Sequence, residues 1–426
     1  MWEQKKGKKI FGNILLTLVL AALIFAGYKG YMYVKASREQ SEEELKATYA
    51  AQQEQQSADK ELEVEAIMAE YQKDMDTIAQ YMPGIVCWGD KLTLGSSGSV
   101  SYPAKLQTLI NENICALYDF SSTIENAADY SSRIKWDTLK MKIPVVNMGN
   151  GQEDCNTILG RIGAVPYVIE KEFTVPADTE PVEVRIKSEN GSEVMPLISG
   201  DGGVNNVTVN GIEGTLKLDE NAYKSANHIK YYFARLTPGA ETVIPENTPV
   251  ITAASSMYLD YIPVIFIGTY GGYKDPNDLV MKVNKILEHH GNPERYLVIG
   301  VYGKDMQYYN KLSLTDYQKI ETAMNQAFGK QYINFREYFV TDALGDLKKA
   351  PTSHDKINIE QGQIPESLRA SAESIELKAS CYELLGQLVY DRMDSLKYFD
   401  EITEELGIDD IRDQLLAEQV KKDSGK

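Results

Sequence analysis

The apolar run Gly84–Trp88 (GIVCW) ends on Gly89-Asp90, and the next residue is Lys91. A buried strand that turns at once on glycine and aspartate holds its next side chain at the strand's carboxyl end, where parallel-sheet proteins place reactive groups. A lysine there supports two chemistries: an amine nucleophile if strongly desolvated, or a cation paired with a carboxylate. Hydroxyl chemistry has its own candidates in Ser96, Ser97 and Ser99, with His354 of the Ser-His-Asp loop as base. Those serines also read as ordinary turn residues. His289-His290 lies in a helical pattern with no third ligand nearby, so a solvated helix face is expected and no metal site. Gly268–Tyr273 (GTYGGY) follows a strand but lacks the lysine and spacing of a phosphate cradle. With no Walker loop and no dinucleotide fingerprint, no cofactor is expected.

The elements that must carry these residues alternate. Gly84–Trp88, Ile143–Met148, Pro263–Gly268, Tyr296–Val301 and Tyr332–Phe335 are short apolar runs bounded by turn residues, the pattern of strands buried on both faces. Helical patterns stand at Tyr102–Leu117, Asp154–Gly163, Asp275–His290, Ser313–Phe328 and Ile375–Leu396. This order predicts an α/β fold, a doubly wound parallel sheet of five strands with its ligand crevice at the carboxyl ends. Residues 168–256 break the pattern. Alternating runs such as Val182–Lys187, Asn-Gly pairs at 190–191 and 210–211, and the glycine-rich SGDGG predict an inserted antiparallel β subdomain. The α/β domain is therefore expected in two parts, 83–167 and 257–398, followed by an acidic helical tail at 399–426.

The order of four blocks resembles the SGNH, or GDSL, hydrolases: a first strand ending in GDKLT, then NMGNGQE, IGTYGG and ESIELKASCYELL. The resemblance runs from about Gly84 to Met393, interrupted by the insert. It implies a flavodoxin-like sheet of that family's type, in which a serine after the first strand attacks an ester carbonyl. A glycine and an asparagine stabilise the oxyanion, and the last block supplies aspartate and histidine. In this chain Lys91 stands at the serine position, Gln152 at the glycine, Tyr270 at the asparagine, Glu376 at the histidine and Glu373 at the aspartate. Positions without chemistry persist, among them Gly89, Asp90, Leu92, Thr93, Asn147, Gly149, Gly268, Thr269, Leu377 and Tyr382.

A serine nucleophile needs a base, an orienting carboxylate and oxyanion donors, and none of these roles is filled at the matching positions. A Lys91–Glu376 ion pair is expected instead, with Tyr270 and Gln152 filling the oxyanion region. The cleft is then expected to comprise Asp90, Lys91, Asn150, Gln152, Tyr270 and Glu376. Its expected work is non-catalytic, as a glycan- or protein-binding surface or scaffold at the bacterial cell envelope. The alternative is an active esterase, O-acetyltransferase or deacetylase on cell-surface polysaccharide, working through Lys91, Glu376 or the loop serines. The 27 tyrosines, Tyr231, Tyr232, Tyr273 and Tyr302 among them, suit carbohydrate or protein contact.

The 426-residue chain, 43% hydrophobic, is long enough for a full core. A net charge of −18 excludes the basic stripe that nucleic acid requires. Its one basic cluster, Lys5, Lys6, Lys8 and Lys9 within a 1–9 tail, precedes the apolar stretch Ile10–Gly27, and acidic residues follow. This predicts a single-pass signal anchor at 10–34 with the C-terminal domain outside the cell, although a cleaved signal peptide uses similar features. Residues 35–82 read as a helical stalk in which Val64, Met68, Tyr71, Met75, Ile78 and Met82 form a heptad-like stripe. Of four cysteines, Cys87 and Cys381 are expected to be buried thiols, while Cys115 and Cys155 are compatible with pairing or with remaining free.

Overall fold

The computed structural model describes residues 3–96, 100–151, 153–188, 191, 194, 204–219, 230–302, 312–372 and 374–424. Helix α1 is continuous from Glu3 to Tyr81. It stops two residues short of Pro83, because the residue before a proline is pushed out of the helical region. Its N-terminal part is long and apolar enough to cross a membrane. There Leu16, Leu20, Leu23, Ile24 and Phe25 stand exposed, as lipid-facing residues would. On the stripe farther along, Ile78 and Met82 are buried, but Ile67 takes the inward position and Met68 is exposed.

The chain forms two compact units, Met1–Gln72 with Ile124–Trp136, and Lys73–Thr123 with Asp137–Lys426. In the first, the Tyr130 hydroxyl donates to Glu63 of α1 at 2.9 Å and the Trp136 indole donates to the Ala127 carbonyl at 3.2 Å.

The second unit is built on a five-stranded parallel sheet. After β1 (Ile85–Gly89) come α2 (Lys91–Leu94), α3 (Tyr102–Asn113), β2 (Val145–Gly149) and α4 (Cys155–Ile162). The nine strands of the insert are β3 (Tyr167–Ile169), β4 (Phe173–Val175), β5 (Val182–Val184), β6 (Ile186–Lys187), β7 (Val207–Val209), β8 (Ile212–Leu218), β9 (Tyr231–Arg235), β10 (Thr242–Ile244) and β11 (Pro249–Thr252) among the described residues. The α/β order then resumes with β12 (Ile262–Phe266), α5 (Pro276–His289), β13 (Leu297–Ile299), α6 (Leu314–Phe328), β14 (Tyr332–Ile333), α7 (Phe335–Thr341), α8 (Ala343–Asp346), α9 (Ser353–Glu360), α10 (Ala379–Ser395), α11 (Asp400–Glu405) and α12 (Asp409–Ser424).

The parallel order is β14-β13-β12-β1-β2, so β1 lies between its two crossover partners. Register brings Gly89 level with Gly149 on one side and Phe266 on the other. Alternate residues of β1 serve opposite faces. Val86 and Trp88 join Ile158, Val283 and Ile286 of α4 and α5 in one core cluster. Between them Cys87 lies beside Tyr102 of α3, and α3 packs on α10.

In the insert, seven strands pair antiparallel in the order β5-β9-β8-β7-β11-β3-β6, and β10 pairs with β4. Its own core contains Tyr167, Val184, Val209, Tyr231 and Phe233. Asn210 and Gly211 have φ of 49° and 76° between the paired Val209 and Ile212. This is the left-handed turn for which Asn-Gly is suited, because it matches the twist of the flanking strands. Asn190 and the stretch at 199–203 lie outside the described residues.

Two expected spans come out shorter. The last strand ends at Ile333 because the Asn334 side chain accepts from the Glu337 N–H and caps α7. The final long helix starts at Ala379 rather than at Ile375, because Leu377 is occupied in a bridge with Arg369. The tail is helical, and its first part is docked: Phe399, Ile402 and Ile408 are buried, and Arg412 bonds Asp400 at 2.9 Å and also Asp394. All four cysteines are free and buried.

Candidate functional site at the strand ends

Three strand ends make the floor of the site, and close backbone approach explains its glycines. A Cβ placed on Gly89 would lie 2.1 Å from the Thr93 hydroxyl and 2.5 Å from the Phe266 carbonyl oxygen. One on Gly149 would lie 2.2 Å from the Leu94 nitrogen. Helix α2 thus sits directly on the ends of β1 and β2. Asp90 starts it, accepting from the Leu92 N–H at 2.9 Å as an N-cap. Asn147 ties the next strand to the same turn: its carbonyl accepts from Gly149 N–H at 2.9 Å, and its amide donates to Leu94 O and Ser101 Oγ.

Beneath this floor lies a buried ion pair. Glu153 accepts from Arg161 Nε at 2.9 Å and lies 2.7 Å from Nη2, with both side chains essentially inaccessible. The same guanidinium donates to the Gly89 carbonyl at 3.3 Å and lies over the Trp88 ring at 5.6 Å. Asn150 N–H also donates to Gly89 O, at 3.0 Å. One strand-end carbonyl therefore gathers β1, the turn after β2 and α4.

On the rim, Lys91 Nζ lies 3.7 Å from Glu376 Oε1, with side chains 23% and 34% exposed. The lysine stem runs past Gly151, where a Cβ would stand 3.9 Å from Lys91 Cδ. Glu376 is held by its backbone: its N–H donates to Ser374 Oγ at 2.9 Å and its carbonyl accepts from Ala370 N–H at 2.8 Å. Asn150 and Tyr270 are buried. Next to Tyr270, the Gly271 carbonyl accepts from Cys155 N–H at 3.1 Å, which joins the Gly268–Tyr273 loop to the start of α4. Gln152 and Glu373 lie outside the described residues.

Between rim and floor is a pocket of hydroxyls around Asp90. Asp90 Oδ2, Thr93 Oγ1, Thr269 Oγ1, Tyr102 OH and Tyr382 OH are all buried without a hydrogen-bond partner among the described residues. Burial pushes the Asp90 carboxyl up to about 7, against the lowering effects of the Leu92 N–H and of the Thr269 hydroxyl, which is close without meeting hydrogen-bond geometry. Burial likewise pushes the Cys87 thiol up to about 12. Neither group is set up as an anionic nucleophile at neutral pH.

No protein-family model matches the chain, and no curated protein matches it in sequence.

The remaining sequence candidates fall elsewhere. His354 is exposed and pairs with Glu366 at 3.4 Å. Ser96 is exposed in its turn, and Ser97 and Ser99 lie outside the described residues. No three His, Cys, Asp or Glu side chains converge as a metal site among the described residues. The expectation of a solvated face at His289-His290 is corrected: His290 is buried and accepts from Trp88 Nε1 at 3.0 Å. Burial lowers its imidazole to about 4, so the ring is neutral and carries its proton on Nδ1.

Sequence reading missed the Arg161–Glu153 pair. Its signal was present, since an arginine in the otherwise apolar, wholly buried helix CNTILGRI requires a buried anion.

Proposed function

We propose that this is a single-pass, outward-facing membrane protein whose doubly wound SGNH-like domain binds an envelope glycan or protein partner without turning it over. The observation that carries this reading is the 3.7 Å Lys91–Glu376 contact. These two residues stand where the resembling hydrolases place serine and histidine. An ammonium held by a carboxylate neither attacks a carbonyl nor accepts a proton from a hydroxyl. It offers donors and acceptors side by side, half in solvent, which suits the hydroxyls of a sugar ring or a polar protein loop. The strand order β14-β13-β12-β1-β2, with helix contacts on both faces of β1, supports the doubly wound arrangement. It also makes the ends of β1 the expected place for a ligand.

The test is hydrolysis of p-nitrophenyl acetate by the detergent-solubilised full chain beside Lys91→Ala and Glu376→Ala. The expected result is background turnover in all three. Turnover lost in either variant would defeat the non-catalytic reading and establish an esterase built on the substituted residues.

A further inference from the structure

A second site is built into the hairpin that carries Glu376. A cavity of about 400 Å³ is lined by Ser353, His354, Glu366, Arg369, Ser371 and Lys378 among others, and neither Lys91 nor Glu376 lines it. Arg369 is its decisive residue. Its guanidinium is buried, at 2% exposure, in a chain of net charge −18. Nη1 donates to the Ala372 carbonyl, but Nη2 reaches Asn358 only at 3.5 Å and Nε has no partner among the described residues. Nε and Nη2 form the side-on edge of the guanidinium, the edge that grips a carboxylate with two parallel hydrogen bonds. A buried donor of this kind is costly to leave unmade. The Ser367 hydroxyl in the same lining is a second buried polar atom without a partner among the described residues.

Charge selects the ligand class. Lys378 is exposed, its Nζ donating to Ser367 O at 2.7 Å, and it adds a cation at the cavity wall. Glu366 contributes one negative charge, which His354 approaches at 3.4 Å. Two cations against one carboxylate leave room for a single added negative charge. We propose that this cavity binds the carboxylate of an acidic sugar, a hexuronate, with Arg369 gripping it side-on and Lys378 closing over it. A phosphate dianion would overcharge the cavity beside Glu366. The site stands on its own geometry and does not depend on the reading of the Lys91–Glu376 pair.

Calorimetric titration of the detergent-solubilised full chain with sodium glucuronate, glucose and inorganic phosphate tests it. Glucuronate is expected to bind, with glucose silent at the same concentrations and phosphate weaker. Arg369→Lys, which keeps charge but removes the fork, is expected to weaken glucuronate about tenfold or more. Because Arg369 is buried, Lys378→Gln serves as the variant that leaves folding intact; it is expected to weaken binding several-fold at unchanged Tm. Failure of glucuronate to bind, equal binding of glucose, tighter binding of phosphate, or unchanged affinity in Lys378→Gln would each overturn the assignment.

Discussion

The floor and the rim of the strand-end site each hold one ion pair, and the two could hardly differ more. Arg161–Glu153 is inaccessible, meets at 2.7 Å and also engages a backbone carbonyl and an indole ring. Lys91–Glu376 meets at 3.7 Å with a quarter to a third of each side chain in solvent. In the floor, removing one partner strands a charge where water cannot reach it. At the rim, water replaces whatever is removed. The contrast separates residues that hold the fold from residues free to determine what the fold does.

The sharpest way to break this contrast is Arg161→Met, which leaves Glu153 buried and unpaired. A loss of about 3–5 kcal/mol is expected, read as the midpoint of urea unfolding. A loss below about 1 kcal/mol would erase the distinction between the pairs.

Asp90 sits between floor and rim, and its pH behaviour locates it. Its folded value of about 7 lies above the ordinary carboxylate value, so the folded state holds a proton that the unfolded chain releases. The stability it contributes is full below about pH 4 and is lost as pH rises through 7, at about 1.4 kcal/mol per unit. His290, lowered to about 4, acts in the opposite sense: its contribution is full above about pH 6.5 and is lost as pH falls through 4. The two slopes oppose each other in the parent. In Asp90→Asn the His290 slope stands alone, so unfolding free energy should climb between pH 4 and 6.5. The gain of this variant over the parent should grow from pH 4 to 7. A variant whose profile runs parallel to the parent's would place Asp90 in water.

Gly149→Ala should come next, at about 1–3 kcal/mol, because its Cβ meets the backbone of α2 rather than a flexible side chain. Near-parent thermal stability would mean that α2 yields easily. The smallest effect belongs to the rim. A double-mutant cycle on Lys91→Ala and Glu376→Ala is expected to give a coupling below about 1 kcal/mol. A coupling near that of the floor pair would make the rim structural.

Much of this architecture is legible in the chain itself. Strands buried on both faces show as apolar runs, and helices α4, α5 and α6 start at Asp154, Asp275 and Ser313, whose side chains accept from first-turn N–H groups. Periodicity carries no information about partners far apart in sequence. Trp88 and His290 are 202 residues apart, and the helical pattern around His290 gives no hint that it turns inward. Strand ends are set by competition: Asn334 caps a helix where an apolar run predicts more strand. Lys91 and Glu376 were brought together only through the order of the motif blocks, since neither composition nor spacing links positions so distant.

The Gly89 carbonyl, shared between Asn150 and Arg161, has a consequence for how such a domain changes over generations. It anchors the turn by main chain and by a group below it, so the identity of side chain 91 is not required to keep the turn in shape. Drift at that position alters recognition or reactivity while heritable foldability is untouched, which is how one ancestral scaffold can supply both catalysts and silent binders.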